Sequence, residues 1–270
     1  MGLIDAHFAE LGALEELARG DSPIHRLDPR AKLITTLAFI VTVVSFNVYE
    51  IAALLPLLIY PVVLVSLGNL PTAYLLRKMA IVSPFAILVG IFNPILDHST
   101  HVIVGTLTIS GGWLSFLSIL IRFALTVTAA LILVASTGIH SLALALQRLG
   151  APNVFVMQLL FLYRYLFVLT QEALRTVRAI TLRSIDRKTM TMKTYGHFLG
   201  SLLLRTLDRA QRIHVAMRCR GFDGHIRLAR PLRMKPADVA FVAAWCMSFA
   251  AIRTGDLPQR IGELFMGGQL

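Results

Sequence analysis

The stretch Trp113 to Ile139, WLSFLSILIRFALTVTAALILVASTGI, holds one charged residue, Arg122, in 27 positions. A helix crossing about 30 Å of hydrocarbon needs about 20 mainly apolar residues, so this run reads as a transmembrane span. Further apolar runs flank it at Leu33 to Phe46, Val48 to Leu67, Met79 to Leu96 and Pro236 to Ile252. The first is short and must borrow flanking residues to span. The second is interrupted by Glu50, Pro56 and Pro61. Prolines are tolerated in membrane helices because neighbouring helices re-satisfy the backbone. Together these runs predict an all-α membrane protein with about five transmembrane helices. Between Asn93 and Gly112 the pattern changes: Val102 to Ser110 alternates apolar and small polar residues and predicts a short extended segment.

The bulk composition agrees with that reading. The chain has 270 residues, 56% hydrophobic and only 15% charged, with a mean hydropathy of +0.70. Soluble domains carry about a quarter charged residues. The net charge is +11. In a soluble protein this would suggest nucleic acid, but beside these apolar runs it reads as positive-inside topology, with no nucleic-acid partner. Cys219 and Cys246 have no CxxC spacing, so neither a disulfide framework nor a zinc site follows. Met1 to Asp21 lacks the basic and apolar regions of a cleaved signal peptide.

Lysine and arginine placement sets the orientation. Arg26, Arg30 and Lys32 precede the first span, and Arg77 and Lys78 lie between the second and third. The loop between the first two spans and the loop holding His98 and His101 have neither residue type. The N-terminus is therefore expected in the cytoplasm, and the chain is inside again at Ser141. Gln171 to Lys235 then holds 15 of the 26 lysines and arginines against four carboxylates, so it is expected to be cytoplasmic. Gln171 to Ile185 continues from Val154 with no helix breaker. In Tyr195 to Cys219, Leu199, Leu202, Leu203, Thr206, Ala210, Ile213 and Met217 recur at spacings of three and four. Arg205, Arg209, Arg212 and Arg218 fall largely elsewhere on the wheel, the pattern of an amphipathic helix. Val154 to Thr170 is long enough to span, but it contains Arg164 and both its flanks are expected inside. An interfacial helix is the preferred reading, and the last span then carries the C-terminus outside.

Two short stretches could carry function. Ala179-Ile180-Thr181-Leu182-Arg183-Ser184 closes one long helix, and Ala216-Met217-Arg218-Cys219-Arg220-Gly221-Phe222 closes the other. Gly221 suits the left-handed residue just past a helix end. An arginine there projects beside a small neighbour, and its planar fork can grip a carboxylate. Read as charge alone, both are arginines among many on a positive-inside face, and generic capping would explain Gly221 equally well.

Those stretches, with Ser22-Pro23-Ile24-His25-Arg26-Leu27-Asp28-Pro29-Arg30-Ala31-Lys32-Leu33 and Leu149-Gly150-Ala151-Pro152, resemble the signatures of a known family. It is the transmembrane coupling subunit of energy-coupling-factor (ECF) transporters, the EcfT/CbiQ family, and the chain is most similar to its cobalt-serving CbiQ branch. The resemblance covers nearly the whole chain. Cys219-Arg220-Gly221 is similar to the second Ala-Arg-Gly coupling motif, with Cys219 in place of alanine. Leu182-Arg183-Ser184 aligns with the first motif, with two of its three residues changed.

The resemblance implies two long cytoplasmic coupling helices whose ends dock on two CbiO-like ATP-binding cassette subunits through Arg183 and Arg220. It implies a CbiM-like substrate-binding membrane subunit, a small CbiN-like accessory subunit, and ATP hydrolysed by the partners rather than bound here. The implied setting is the bacterial inner membrane. The expected organisation is a cytoplasmic segment at 1–30, four transmembrane helices at 31–139, coupling helices at 140–235 and a final span with the tail at 236–270.

The remaining polar residues read as structural. Arg122 lies near mid-span and is expected to pair with Glu50. Asp28, just before Pro29, reads as a helix start rather than an acid catalyst. His98 and His101, beside Asp97, read as loop residues rather than a metal site, and metal at His197 or His214 would be repelled by the surrounding arginines. No P-loop, Gly-x-Ser-x-Gly or His-Glu-x-x-His pattern is present. A self-contained permease would be expected to show internal repeats, and an intramembrane enzyme a convergent polar set beyond Arg122 and Glu50. Neither alternative accounts for the Arg-rich helices.

Overall fold

Helix α1, Pro29–Ser45, begins where its sequence says it should. Proline occupies the first turn, where the missing N–H costs nothing, and the Asp28 carboxylate accepts the Arg30 N–H at 2.9 Å. Asp28 is thus a helix cap, as expected. The structure is a computed structural model that describes residue 12 and residues 15–47, 51–96, 101–104, 107–183, 191–224 and 234–254.

Two 3-10 turns, Ala52–Leu54 and Pro56–Leu58, lead into α2, Ile59–Gly68. Then follow α3, Thr72–Gly90, and the short α4, Phe92–Leu96. Strands β1, His101–Val104, and β2, Leu107–Ser110, pair antiparallel with His101 opposite Ser110 and Val104 opposite Leu107. The single extended segment that the alternating pattern predicts is thus split into two paired strands, the only strands among the described residues. Helices α5, Gly111–Thr137, and α6, Ile139–Arg148, come next. They are followed by α7, Asn153–Arg183, α8, Met192–Cys219, and α9, Pro236–Thr254.

The fold is that of an all-α membrane protein. Among the described residues four helices are long and apolar enough to cross a bilayer: Thr72–Pro94, Gly112–Thr137, Asn153–Arg183 and Pro236–Thr254. The first expected span borrows Pro29 to Lys32, as its short apolar run requires, and reaches 17 residues in α1; the second comes out shorter, as the apolar helix Pro56–Gly68. Val154 to Thr170 belongs to one continuous helix of 31 residues, as the lack of a breaker predicts.

The chain divides into two units, residues 1–145 with 232–270, and residues 146–231. In the first, α1 packs against α5 and α9, and α5 also receives α3. Its centre is aromatic. Phe39 of α1 stacks on Tyr60 of α2 at 4.6 Å, and Trp245 and Phe249 of α9 meet the Tyr60 ring edge-on at 4.9 and 5.4 Å. Each such pair adds about 1 kcal/mol beyond area burial. The buried Tyr60 hydroxyl is satisfied by Thr36 at 3.0 Å and donates to Thr35 at 3.4 Å. In the second unit α7 meets α8.

Candidate functional site

The end of α8 is built by the stretch Ala216 to Phe222, the last four residues of the helix and the three that follow. Arg220 is the C-cap, and Gly221 follows in the left-handed region at φ 75°. The Phe222 N–H donates to the Met217 carbonyl at 3.1 Å and the Gly221 N–H to the Arg218 carbonyl at 3.0 Å. This pair of bonds is the Schellman motif, which satisfies carbonyls that a helix end leaves free. Glycine is therefore at position 221 for its backbone, as expected. The reversal of the chain leaves Arg218, Cys219 and Arg220 exposed.

At the end of α7, Leu182 is 82% exposed and Arg183 is exposed beside it. Ser184 lies outside the described residues. Both stretches singled out in the sequence are thus helix ends in the same unit, each presenting a solvated guanidinium with no carboxylate of its own in the last turn. An exposed arginine has the planar fork that can grip a carboxylate bidentately.

Helix α8 has two faces. Thr194, Phe198, Leu202, Thr206, Ile213 and Met217 are half-buried, while Met192, Leu199, Leu203 and Leu207 form a stripe 52–89% exposed. Arg209, expected on the polar side, instead lies at the contact with α7, where its Nη2 reaches Glu172 Oε2 at 2.9 Å. An exposed apolar stripe of this kind marks an interaction surface.

The signature around Ser22–Leu33 has a different role. The Asp238 carboxylate accepts the Asp28 N–H at 2.9 Å and the Lys235 N–H at 2.7 Å, tying together the starts of α1 and α9. Lys32, buried, donates to the Ser136 carbonyl at 2.9 Å in the last turn of α5, where a cation meets the negative end of a helix dipole. Just beyond, Gly138 adopts φ 74°, and a Cβ there would lie 3.2 Å from the Ala18 Cβ. Glycine is needed at this break between α5 and α6 for both reasons. His25 bridges Ser22 Oγ at 2.6 Å and the Leu17 carbonyl at 2.9 Å. Burial pushes this imidazole below its ordinary pKa, consistent with a neutral ring that donates from Nε2 and accepts at Nδ1.

Arg122 donates to the Phe46 and Asn47 carbonyls at 3.0 and 2.6 Å. Its expected partner Glu50 lies outside the described residues. Arg253 reaches the same end of α1, binding Ser45 Oγ at 3.0 Å and stacking over Phe46 at 5.1 Å. Arginines from α5 and α9 thus meet the end of α1. Arg253, Asp238 and Glu172 were missed from sequence. Only Asp238 carried a signal, the Lys-Pro-Ala-Asp start in which a carboxylate three residues past the cap closes half a capping box.

An apolar cleft of about 600 Å³ between α2, α3 and α5 is lined by Leu58, Val62, Leu75, Met79 and Ile121 among others, with serine and threonine hydroxyls its only polar side chains. Among the described residues no group of three histidine, cysteine or acidic side chains could hold a metal.

Helices of this length around a buried core, with a basic helical unit attached, define a multi-pass membrane protein. Residues 20–230 match the CbiQ family, described as cobalt transport protein, and the chain belongs to that family. It is 26% identical over 220 residues to the energy-coupling factor transporter transmembrane protein EcfT of Bacillus subtilis, covering 76% of this chain and 82% of the relative. It is 26% identical over 276 residues to the EcfT of Bacillus selenitireducens, covering 92% and 96%. The nickel permease LarQ of Lactiplantibacillus plantarum is 31% identical over 90 residues, a third of each chain.

Proposed function

We propose that this chain is the non-catalytic, membrane-embedded coupling subunit of an ECF-type importer. The observation that carries the reading is the pair of long helices α7 and α8, each ending in an exposed arginine. Arg183 and Arg220 dock on two CbiO-like ATP-binding subunits, each guanidinium gripping a partner carboxylate. Residues flanking them, Leu182, Ser184, Cys219 and Gly221, shape the contact. ATP is bound and hydrolysed by those partners, and closure of their dimer moves the helix ends. The exposed stripe of Met192, Leu199, Leu203 and Leu207 passes the motion to a CbiM-like substrate-binding membrane subunit, with a small CbiN-like subunit beside it. The chain sits in the inner membrane with its N-terminus and residues 140–235 in the cytoplasm. The cargo is cobalt(II), supported by the family description, while the partial likeness to a nickel permease makes nickel(II) the competitor to test.

The deciding experiment is Arg220→Glu in the co-expressed complex. Reversing the charge turns attraction into repulsion, so the ATP-binding subunits are expected to stop co-purifying while the chain still inserts in the membrane. Arg183→Glu should act in the same direction. Full recovery of an active complex from both variants would sink the docking role. Uptake of radioactive cobalt against nickel by the intact complex decides the cargo.

A further inference from the structure

Helix α7 carries Arg164, Arg175, Arg178 and Arg183 against one carboxylate, Glu172. Helix α8 carries Lys193, Arg205, Arg209, Arg212 and Arg218 against Asp208 alone. Two helices with this surplus of like charge repel where they approach. The single carboxylate of α7 stands where they meet: Glu172 Oε2 accepts from Arg209 Nη2 at 2.9 Å, and Oε1 faces Arg205 Nη1 at 3.9 Å. The Glu172 side chain is only 21% exposed and that of Arg209 35%, so the pair is partly shielded from screening. Arg209 Nη1 is buried with no hydrogen bond among the described residues, so the bond to Glu172 is what orients this guanidinium.

The placement is also symmetric. Arg183 lies eleven residues beyond Glu172 along α7, and Arg220 lies eleven beyond Arg209 along α8. At the helical rise each arm is about 16 Å long. An ion pair at this point fixes the origin of both arms at once. A slip there would shift both tips, and a change in crossing angle would be carried outward along each arm.

We propose that Glu172 is a positioning residue for energy coupling: its ion pair with Arg209 braces α7 against α8, so that Arg183 and Arg220 are held at one fixed separation. The inference rests on the docking role proposed above for those two arginines. Without the brace, each ATP-binding subunit would move its own helix and the two displacements would not add.

The test separates the brace from the docking. Spin labels at Thr181→Cys and Val215→Cys, with Cys219→Ser and Cys246→Ser, report the tip separation of the full chain in nanodiscs by electron–electron resonance. A narrow distance distribution is expected, with Glu172→Gln at least doubling its width. The charge swap Glu172→Arg with Arg209→Glu should narrow it again. In the assembled complex, Glu172→Gln should retain the ATP-binding subunits yet lower cargo transported per ATP hydrolysed several-fold, and the swap should restore it. An unchanged width in Glu172→Gln overturns the brace whatever the fate of docking. A doubled width with an unchanged transport ratio overturns the positioning role. Retention of ATP-binding subunits by Arg220→Glu counts against the docking reading and leaves the distance result standing.

Discussion

A Cβ at position 221 would meet no neighbour, so glycine is required there by conformation and not by space. Gly221→Ala must hold alanine at φ 75° or unwind the last turn of α8. The expected cost is about 1 kcal/mol, read as faster amide exchange at Phe222 and Gly221, and Gly221→Asn should recover part of it. Protection equal to wild type in Gly221→Ala would show that the turn is held by something else. This residue was legible from sequence because its constraint is local: a helix pattern, an arginine, then glycine. The bond from Asp28 to Asp238 and the one from Arg253 to Ser45 were not, because they join residues 210 and 208 apart in the chain. No local periodicity records a contact that depends on three helices packing first. Arg122 was half legible, since an arginine in an apolar run must have a partner, but not that it would take the carbonyls at the end of α1.

The end of α1 is an element whose termination comes from other elements. The last carbonyls of any helix lack intrahelical donors, and here Arg122 of α5 and Arg253 of α9 supply them. Two guanidinium groups at the negative end of a helix dipole also interact favourably with it. Removing either should therefore loosen helix packing as well as delete a charge. Arg122→Ala and Arg253→Ala are each expected to lower stability in detergent by about 2 kcal/mol, since hydrogen bonds to charged groups carry about that much. Acting on one helix end, the two losses should be non-additive. Thermal unfolding of both single variants and the double variant measures this, and strictly additive shifts would mean independent roles. The amphipathic character of α8 was visible in its spacing of three and four. The use of Arg209 on its contact face was not, because periodicity sorts residues by polarity and cannot foresee a carboxylate on a neighbouring helix.

At the scale of the molecule, composition and apolar runs were enough to give a helical membrane protein, and the alternating residues gave extended backbone but not its pairing into two strands. Span count was less legible, because a helix that crosses and a helix that lies at the interface can share one composition, as α7 does over its first half. The reading that keeps this helix in the cytoplasm predicts that a reporter fused after Leu270 behaves as external. A cytoplasmic signal from that fusion would mean that Val154 to Thr170 crosses the membrane. The double arginine cap bears on the bilayer as well. The 17 residues of α1 cover about 25 Å against about 30 Å of hydrocarbon. A helix too short for its surroundings cannot gain reach by tilting, so the lipid must yield, and polar groups at its end draw headgroups and water inward. Lipids beside α1 should then fit best with shortened or disordered acyl chains. Thickness mismatch on this one flank makes the annulus around the protein uneven, and gives membrane composition a direct hold on the helix against which α5 and α9 pack.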